Sequence, residues 1–295
     1  MELSLTKSYK VPFIFLTAHL ENISSQKMIK EQCLGFLNTP VLWTGEKFGI
    51  EQFVFPELNM NRFLPKPILK KLRLGHQMEH VFTQLLIRNS TYDLVLSNQP
   101  VKDEKRTIGE IDFILKNRET KKLIHVELTY KFYIIDPTIS EPIHRLIGPN
   151  RRDMFFTKME KIKDKQFALL HSESGIRTLS ETGINHGEIE HQACFKAQLY
   201  TPFSNNTVDI TPLNKECIYG YWLRFNEFEK NAFKPHKYYI PSKSEWVIEP
   251  HKKVRWSSHF ETLMEVNLRN LNENAPMLWM KKSDTEFEKF FVVWW

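Results

Sequence analysis

At 295 residues the chain exceeds the usual single-domain size, so one large domain and two smaller ones both fit. Its 41% hydrophobic and 26% charged residues, with only 10 glycines, describe a globular protein without long flexible linkers, and no apolar run approaches the ~18 residues that would span a bilayer. A net charge of +6, from 41 basic against 35 acidic residues, suits an anionic partner without singling one out.

Cys33, Cys194 and Cys217 lie far apart with no CxxC spacing, which argues against a disulfide framework or a structural zinc site. They are expected to be ordinary thiols in a reducing cytoplasm. Val11 to Ala18 follows Lys7 and Lys10 in the manner of a signal segment, but it is short and runs into His19 and Glu21 without a small-residue cleavage pattern. A strand or core segment is expected there.

Gln26 to Leu37 has helical spacing at Met28, Ile29, Cys33, Phe36 and Leu37, and Thr39-Pro40 ends the run. Thr44 to Pro67 reads as an irregular connection with a short strand at Phe53, Val54 and Phe55. Leu69 to Arg88 is a helix whose apolar stripe is Leu74, Met78, Val81, Phe82, Leu85 and Leu86. Gly75 would let another element approach it closely. Glu79 borders the stripe, so its carboxylate either points along the helix into the protein or is solvated.

A strand at Tyr92 to Asn98 and a polar turn from Gln99 to Arg106 lead to the most informative stretch, the hairpin from Thr107 to Tyr133. With Arg118 to Lys121 as the turn, Asn117 pairs with Lys122 and the register sets Asp112 directly opposite Glu127. One face of the hairpin is then apolar. The other carries Glu110, Asp112, His125, Glu127, Thr129 and Lys131. Opposed carboxylates about 5 Å apart repel unless a cation, a proton or a base compensates. Asp112 and Glu127, with the backbone carbonyl of Leu128, form a hard oxygen donor set of the kind Mg2+ takes, and a lysine beside it would orient an attacking water. The structural alternative is a solvent-exposed polar strand face.

After a Pro-rich loop from Ile134 to Asn150, a helix is expected from Arg152 to about Leu170, with Phe155, Met159, Ile162 and Leu169 as its core face. Gln166 falls on that face and needs partners, because an unsatisfied buried amide costs about 1 to 3 kcal/mol. It therefore borders a cleft or satisfies backbone. Arg151, Arg152, Lys158, Lys161 and Lys165 put positive charge along the start and one side of the helix, as phosphate contacts or as a solvated face. Glu173 to His191, polar and with three glycines, reads as a loop. Beyond it strands are expected at Ala193 to Tyr200, Glu216 to Phe225, Lys237 to Ile240 and Trp246 to Ile248, then a helix at Ser257 to Asn270 and a hairpin of Met277 to Lys281 with Phe287 to Trp295. Trp222, Trp246, Trp256, Trp279, Trp294 and Trp295 all follow residue 220, to stack bases or to fill a core.

The ordered set of Glu79 on a helix, Asp112 and Glu127 on paired strands, Lys131 on the same face and Gln166 on the next helix resembles the PD-(D/E)XK nuclease superfamily, the restriction-endonuclease-like fold. The stretches EQCLGFLNTPVLW, RLGHQMEHVF, TIGEIDFIL, HVELTYKFY and GPNRRDMFFTKMEKIKDKQFALL are similar to the bacterial domain-of-unknown-function family 1853, well over residues 30 to 170 and loosely beyond. The superfamily implies Mg2+ or Mn2+ held by Asp112 and Glu127, Glu79 as the supporting helix carboxylate, and Gln166 as the glutamine of exonuclease-like branches. One position departs from it. Thr129 stands where lysine is usual, and the nearest lysine on that face, Lys131, is about 7 Å further along at about 3.3 Å per residue, within reach only if its side chain folds back.

The expected architecture is α/β, with a nuclease-like core at 65–200, an N-terminal helical extension at 1–64, and a strand-rich portion at 201–295 packed on the core. The expected function is magnesium-dependent hydrolysis of phosphodiester bonds in nucleic acid, DNA first and RNA second. The alternative is a catalytically silent nucleic-acid-binding or scaffolding module; neither involves a membrane.

Overall fold

The alternation from Thr107 to Tyr133 becomes the spine of a mixed sheet in the computed structural model of the chain, which describes residues 13–68, 72–187, 189–204 and 207–295, with backbone alone for 13–25. Helix α1 spans Phe13–Asn38, and short strands β1 (Glu46–Lys47) and β2 (Ile50–Gln52) follow. Of the strand or core segment expected at Val11 to Ala18, residues 13–18 are the first turns of α1 rather than a strand, and Val11 and Pro12 lie outside the described residues. Extending an existing helix adds a hydrogen bond per residue fixed, whereas an isolated strand there has no partner. The strand expected at Phe53 to Phe55 falls earlier, at β2, because Ile50 to Gln52 is the part that reaches the sheet, pairing parallel with β7 (Ile189–Pro202).

Helix α2 runs over Leu74–Arg88, five residues later than expected: Arg73 is extended, and Leu69 to Lys71 lie outside the described residues. Strand β3 (Tyr92–Asp103) swallows most of the anticipated turn. Two register shifts and an edge position let it carry Pro100, and the true turn is Glu104 and Lys105. Strands β4 (Arg106–Asn117) and β5 (Leu123–Ile135) form the hairpin in the expected register, with Phe113 opposite Val126 and Asn117 N–H donating to Lys122 O at 2.9 Å. The Pro-rich segment that follows contains a one-turn helix at Pro142–His144 and strand β6 (Leu146–Ile147).

The next helix starts at Phe155, so Arg151 and Arg152 precede it in a turn, with Arg151 in the left-handed region at φ 54°. It comprises α3 (Phe155–Lys161), a wide π turn (Ile162–Phe167) and α4 (Ala168–His171). The π turn shifts the helical phase, so Leu170 is buried where Leu169 was expected, while Phe155, Met159 and Ile162 keep their places. Glu173 to His191 is not a loop: α5 (Glu173–Glu181) starts from Ser172, whose Oγ caps Gly175 N–H, and β7 begins at Ile189. Gly175 signals close packing rather than looseness, since a Cβ there would collide with the Leu169 carbonyl oxygen.

Strand β8 (Ile218–Arg224) leads into α6 (Phe225–Phe228), β9 (Lys237–Tyr239), β10 (Ser257–Ser258), α7 (His259–Leu271) and the hairpin of β11 (Met277–Lys281) and β12 (Phe287–Val293). Trp246 to Ile248 is not a strand but follows a one-turn helix, Lys243–Glu245, that Glu245 closes by capping Ser242. The sheet runs β10-β9-β11-β12-β8-β7-β5-β4-β3, parallel from β12 through β8 and β7 to β5 and antiparallel on both flanks. It continues unbroken from the N-terminal half into the C-terminal strands.

Helices α1 and α2 cover one face through Cys33, Phe36, Val81, Phe82 and Leu85 against Phe113, Val126 and Tyr200. The helix starting at Phe155 covers the other through Phe155, Met159 and Ile162 against Tyr133, Ala193 and Phe195, and α6 and α7 extend that layer. The late tryptophans serve packing: Trp222 Nε1 donates to Ile135 O at 3.0 Å, and Trp256 stacks on Phe287. All three cysteines are buried and free. Among the described residues no helix is long and apolar enough to cross a membrane.

Candidate active site

The β4–β5 ladder stops at Phe113 and Val126, one position short of the carboxylates. Beyond it Asp112 Oδ2 takes the place of a ladder carbonyl and accepts the Leu128 N–H at 3.0 Å. Groups of one strand residue leave on the same edge, so the Leu128 carbonyl also faces the gap. Asp112 lies within hydrogen-bonding reach of the Glu127 carboxylate. Burial raises the pKa of both, and the Glu127 charge raises that of Asp112 further. The expected pairing of Asp112 with Glu127 is thus present.

Glu127 is completely buried. Its Oε1 faces His125 Nε2 at 3.0 Å, and its Oε2 accepts from Gln166 Nε2 in the π turn. Gln166 Oε1 accepts from Lys158 Nζ at 3.0 Å. The anticipated partners of Gln166 are therefore a carboxylate and an ammonium. Burial lowers the Lys158 pKa, while the Glu127 and Asp112 charges hold it up. Lys158, taken from the sequence as a phosphate contact, is the lysine whose charge acts on the pair.

Beside the pair, lined by neither carboxylate, lies a cleft of about 400 Å³ between α2 and α3, with Gly75 and Glu79 on one side, Leu128 to Lys131 beneath, and Asp153, Lys158 and Lys161 opposite. Glu79 turns inward from α2; its Oε2 accepts from Asn98 Nδ2 at 2.9 Å and meets His76 Nδ1 at 3.1 Å, and its charge adds to the raising of Asp112. Gly75 lines the cleft, and none of the described residues comes within 4 Å of where its Cβ would be. Lys131 does not fold back over Thr129. Its Nζ donates to Asp153 Oδ2 at 2.5 Å, and it makes no hydrogen bond to either carboxylate. The reason is local, because Asp153 ends the turn before α3 on the same rim and is the nearer acceptor.

Of the remaining basic residues, Lys161 lines the cleft and Lys165 is exposed beyond it. Arg151 stacks on the Trp295 ring at 4.0 Å and meets Asp136 at 3.4 Å, and Arg152 pairs with Glu273 at 3.5 Å. Neither arginine lines the cleft. His191 and His171 were missed by sequence reasoning; the parallel β5–β7 register that sets His191 beside His125 has no local signature. Asp153 was missed as well.

Among the described residues no three His, Cys, Asp or Glu side chains are grouped to hold a metal. The residues that could hold a hard divalent cation are the two carboxylates with raised pKa and the carbonyl at the gap, with Thr129 in the cleft floor, whose buried Oγ1 has no hydrogen-bond partner among the described residues.

The family model described as a domain of unknown function (DUF1853) matches residues 58–293, most of the chain. No curated protein and no solved structure matches it.

Proposed function

The chain belongs to the DUF1853 family, and we propose that it is a Mg2+-dependent nuclease with a PD-(D/E)XK-like core, hydrolysing phosphodiester bonds in DNA and secondarily in RNA, in a reducing cytoplasm. One observation carries the reading: the ladder between β4 and β5 opens where buried Glu127 and half-buried Asp112 face each other with, among the described residues, no Lys or Arg within ion-pair distance, next to a lysine-edged cleft whose floor is the adjoining Leu128 to Lys131. His125 supplies no charge, since burial holds its pKa down to about 3.

Asp112, Glu127 and the Leu128 carbonyl would hold the ion, which supplies Lewis acidity and a water of lowered pKa. Glu127 is aimed by Gln166 and His125, one on each oxygen. Lys158, tied to Gln166, brings positive charge toward the reacting phosphate, where preorganised charge acts most strongly. Lys131 and Lys161 on the rim seat flanking phosphates. Glu79 adds negative charge at the α2 side, which strengthens the pull on a cation.

The test is cleavage of duplex and single-stranded DNA and of RNA in Mg2+, Mn2+ or chelator, with Mn2+ binding followed by calorimetry. Metal-dependent cleavage lost in Asp112→Ala supports the reading; absence of both cleavage and Mn2+ binding overturns it. A silent nucleic-acid-binding module is favoured by Thr129 in the lysine position and by the Lys131–Asp153 pair. Nucleic-acid binding without cleavage in any metal would select it.

A further inference from the structure

Behind Glu127 three imidazoles stand in line to the surface. His125 Nε2 lies 3.0 Å from Glu127 Oε1, His125 Nδ1 lies 3.0 Å from His191 Nδ1, and His191 Nε2 lies 2.7 Å from His171 Nε2. Exposure rises along the series: His125 is buried, His191 half-buried and His171 exposed. The sheet and the helix build the line together. Register sets His125 beside His191 on the neighbouring strand, and α4 ends with His171 against His191. Phe167, next to Gln166 at the end of the π turn, stacks on the His191 ring at 4.8 Å and meets the His125 ring edge-on at 5.7 Å. The wide turn thus delivers consecutive residues to the carboxylate and to the rings behind it.

Donor and acceptor chemistry gives the line one direction. An ionised carboxylate only accepts, so His125 presents Nε2–H to Glu127. A neutral imidazole has a single N–H, so His125 Nδ1 accepts and His191 donates from its own Nδ1. His191 Nε2 must then accept, and His171 donates to it. Two ring nitrogens bond only when one carries a proton and the other a bare lone pair, which the 3.0 and 2.7 Å separations require of each pair in the line.

We propose that His125, fixed in its Nε2–H tautomer by His191 and His171, is a positioning residue that locks the rotation of the Glu127 carboxylate and so holds its free lone pairs toward Asp112. A carboxylate bonded at one oxygen by His125 and at the other by Gln166 cannot turn without breaking a bond. This rests on Glu127 working in the proposed site.

The primary experiment is histidine side-chain 15N–1H NMR on the full-length, metal-free protein at neutral pH. The expected spectrum shows His125 as a single Nε2–H tautomer with a downfield, slowly exchanging proton, and His191 as the Nδ1–H tautomer. His171→Ala, at the exposed end where the fold tolerates it, should turn the His191 signal into a tautomer mixture. A His125 Nδ1–H tautomer, or a His191 spectrum indifferent to His171→Ala, overturns the proposal. Calorimetry with Mn2+ supplies the second readout. His125→Gln keeps an N–H toward Glu127 and His125→Leu does not, so the Leu variant should bind Mn2+ roughly 10- to 100-fold more weakly than the Gln variant. Equal affinities overturn the proposal. If the wild type neither binds Mn2+ nor cleaves, the active-site reading falls, and the tautomer measurements still decide whether the line orients Glu127.

Discussion

Strand β5 carries a buried polar cluster on each face, and the two are finished differently. On the face beneath α1, Thr39 Oγ1 and Tyr130 OH share a 2.6 Å hydrogen bond, Gln198 Nε2 donates to Tyr130 OH at 3.0 Å, and Lys289 Nζ donates to Gln198 Oε1 and Trp246 O at 2.5 and 2.6 Å. Phe132 and Trp279 rings stand 5.5 and 5.3 Å from that ammonium. One positive charge meets neutral oxygens and ring faces at contact distance, and the Glu249 charge, acting from further off, favours its proton. On the opposite face Asp112 and Glu127 share a sign, and the fold brings Lys158 only as far as Gln166. A charge held by neutral contacts serves packing, whereas like charges held together carry a repulsion that a bound cation or a proton would relieve.

The sharpest way to break this contrast is to remove one charge from each side. Asp112→Ala should lower metal-dependent cleavage by roughly a thousandfold or more, as loss of a group acting as part of a unit does, and should raise the melting temperature of the metal-free protein by relieving repulsion. Lys289→Met should do the reverse. It leaves Gln198 Oε1 and Trp246 O without their donor, at about 1 to 3 kcal/mol, with cleavage per folded molecule unchanged. Wild-type cleavage by Asp112→Ala, or a thousandfold loss in Lys289→Met, would collapse the distinction.

The next effect separates the two lysines near the pair. Lys158→Met should reduce the rate per folded molecule by about 10²-fold, the scale of one positioned charge, and lower the melting temperature because Gln166 Oε1 loses its donor. Lys131→Ala, which frees Asp153 on the rim, should cost only a few-fold. Single-turnover rates at saturating metal read both. A larger loss in Lys131→Ala than in Lys158→Met would return the catalytic role to the strand.

Much of this was legible in the sequence, for reasons that differ from residue to residue. The period-two pattern and a four-residue turn set the β4–β5 register, and with it Asp112 opposite Glu127, because a hairpin is local. Gln166 on an apolar helix face announced partners, and it has them. Lys131 went wrong because strand alternation tells which face a side chain leaves from and nothing about Asp153, which arrives from another segment. Lys158 looked like one of several surface lysines, since its approach to Gln166 depends on a π turn that no helical periodicity reveals. The C-terminal strands were found, yet their continuity with the sheet was not, because the parallel β7–β8 and β8–β12 pairings join residues far apart in sequence.

The two clusters should also give stability slopes of opposite sign with pH. A carboxyl whose folded pKa is raised contributes stability that is present at low pH and lost as pH rises toward the folded value. Asp112, pushed up to about 8 by burial and the Glu127 charge, therefore predicts melting temperatures that fall from about pH 4 to about pH 8 without metal. Lys289, held down to about 7 by burial, binds fewer protons folded than unfolded, so its contribution rises from about pH 7 to about pH 10. One extra proton corresponds to about 1.4 kcal/mol per pH unit, several degrees in a chain of this size. Asp112→Asn should flatten the falling limb and Lys289→Met the rising one, as read by calorimetric melting across the range. A falling limb unchanged in Asp112→Asn would remove the pair as its source.

The smallest effect concerns the basic residues outside both clusters. Lys161 lines the cleft without an ion-pair partner among the described residues, whereas Arg151 spends its charge on Trp295 and Asp136. If the cleft seats phosphates, removing one phosphate-binding cation should flatten the slope of log affinity against log salt by about 0.9 for duplex DNA. Lys161→Ala should show that change with little effect on melting. Arg151→Ala should leave the salt slope alone and destabilise the fold by about 1 kcal/mol, because the C-terminal tryptophan then has no guanidinium stacked on it. Fluorescence anisotropy titrations from low to moderate salt, with melting curves of the same preparations, measure both. A slope change in Arg151→Ala and none in Lys161→Ala would move the nucleic-acid path off the cleft and onto the turn before α3, and with it the argument that the paired carboxylates lie beside the substrate.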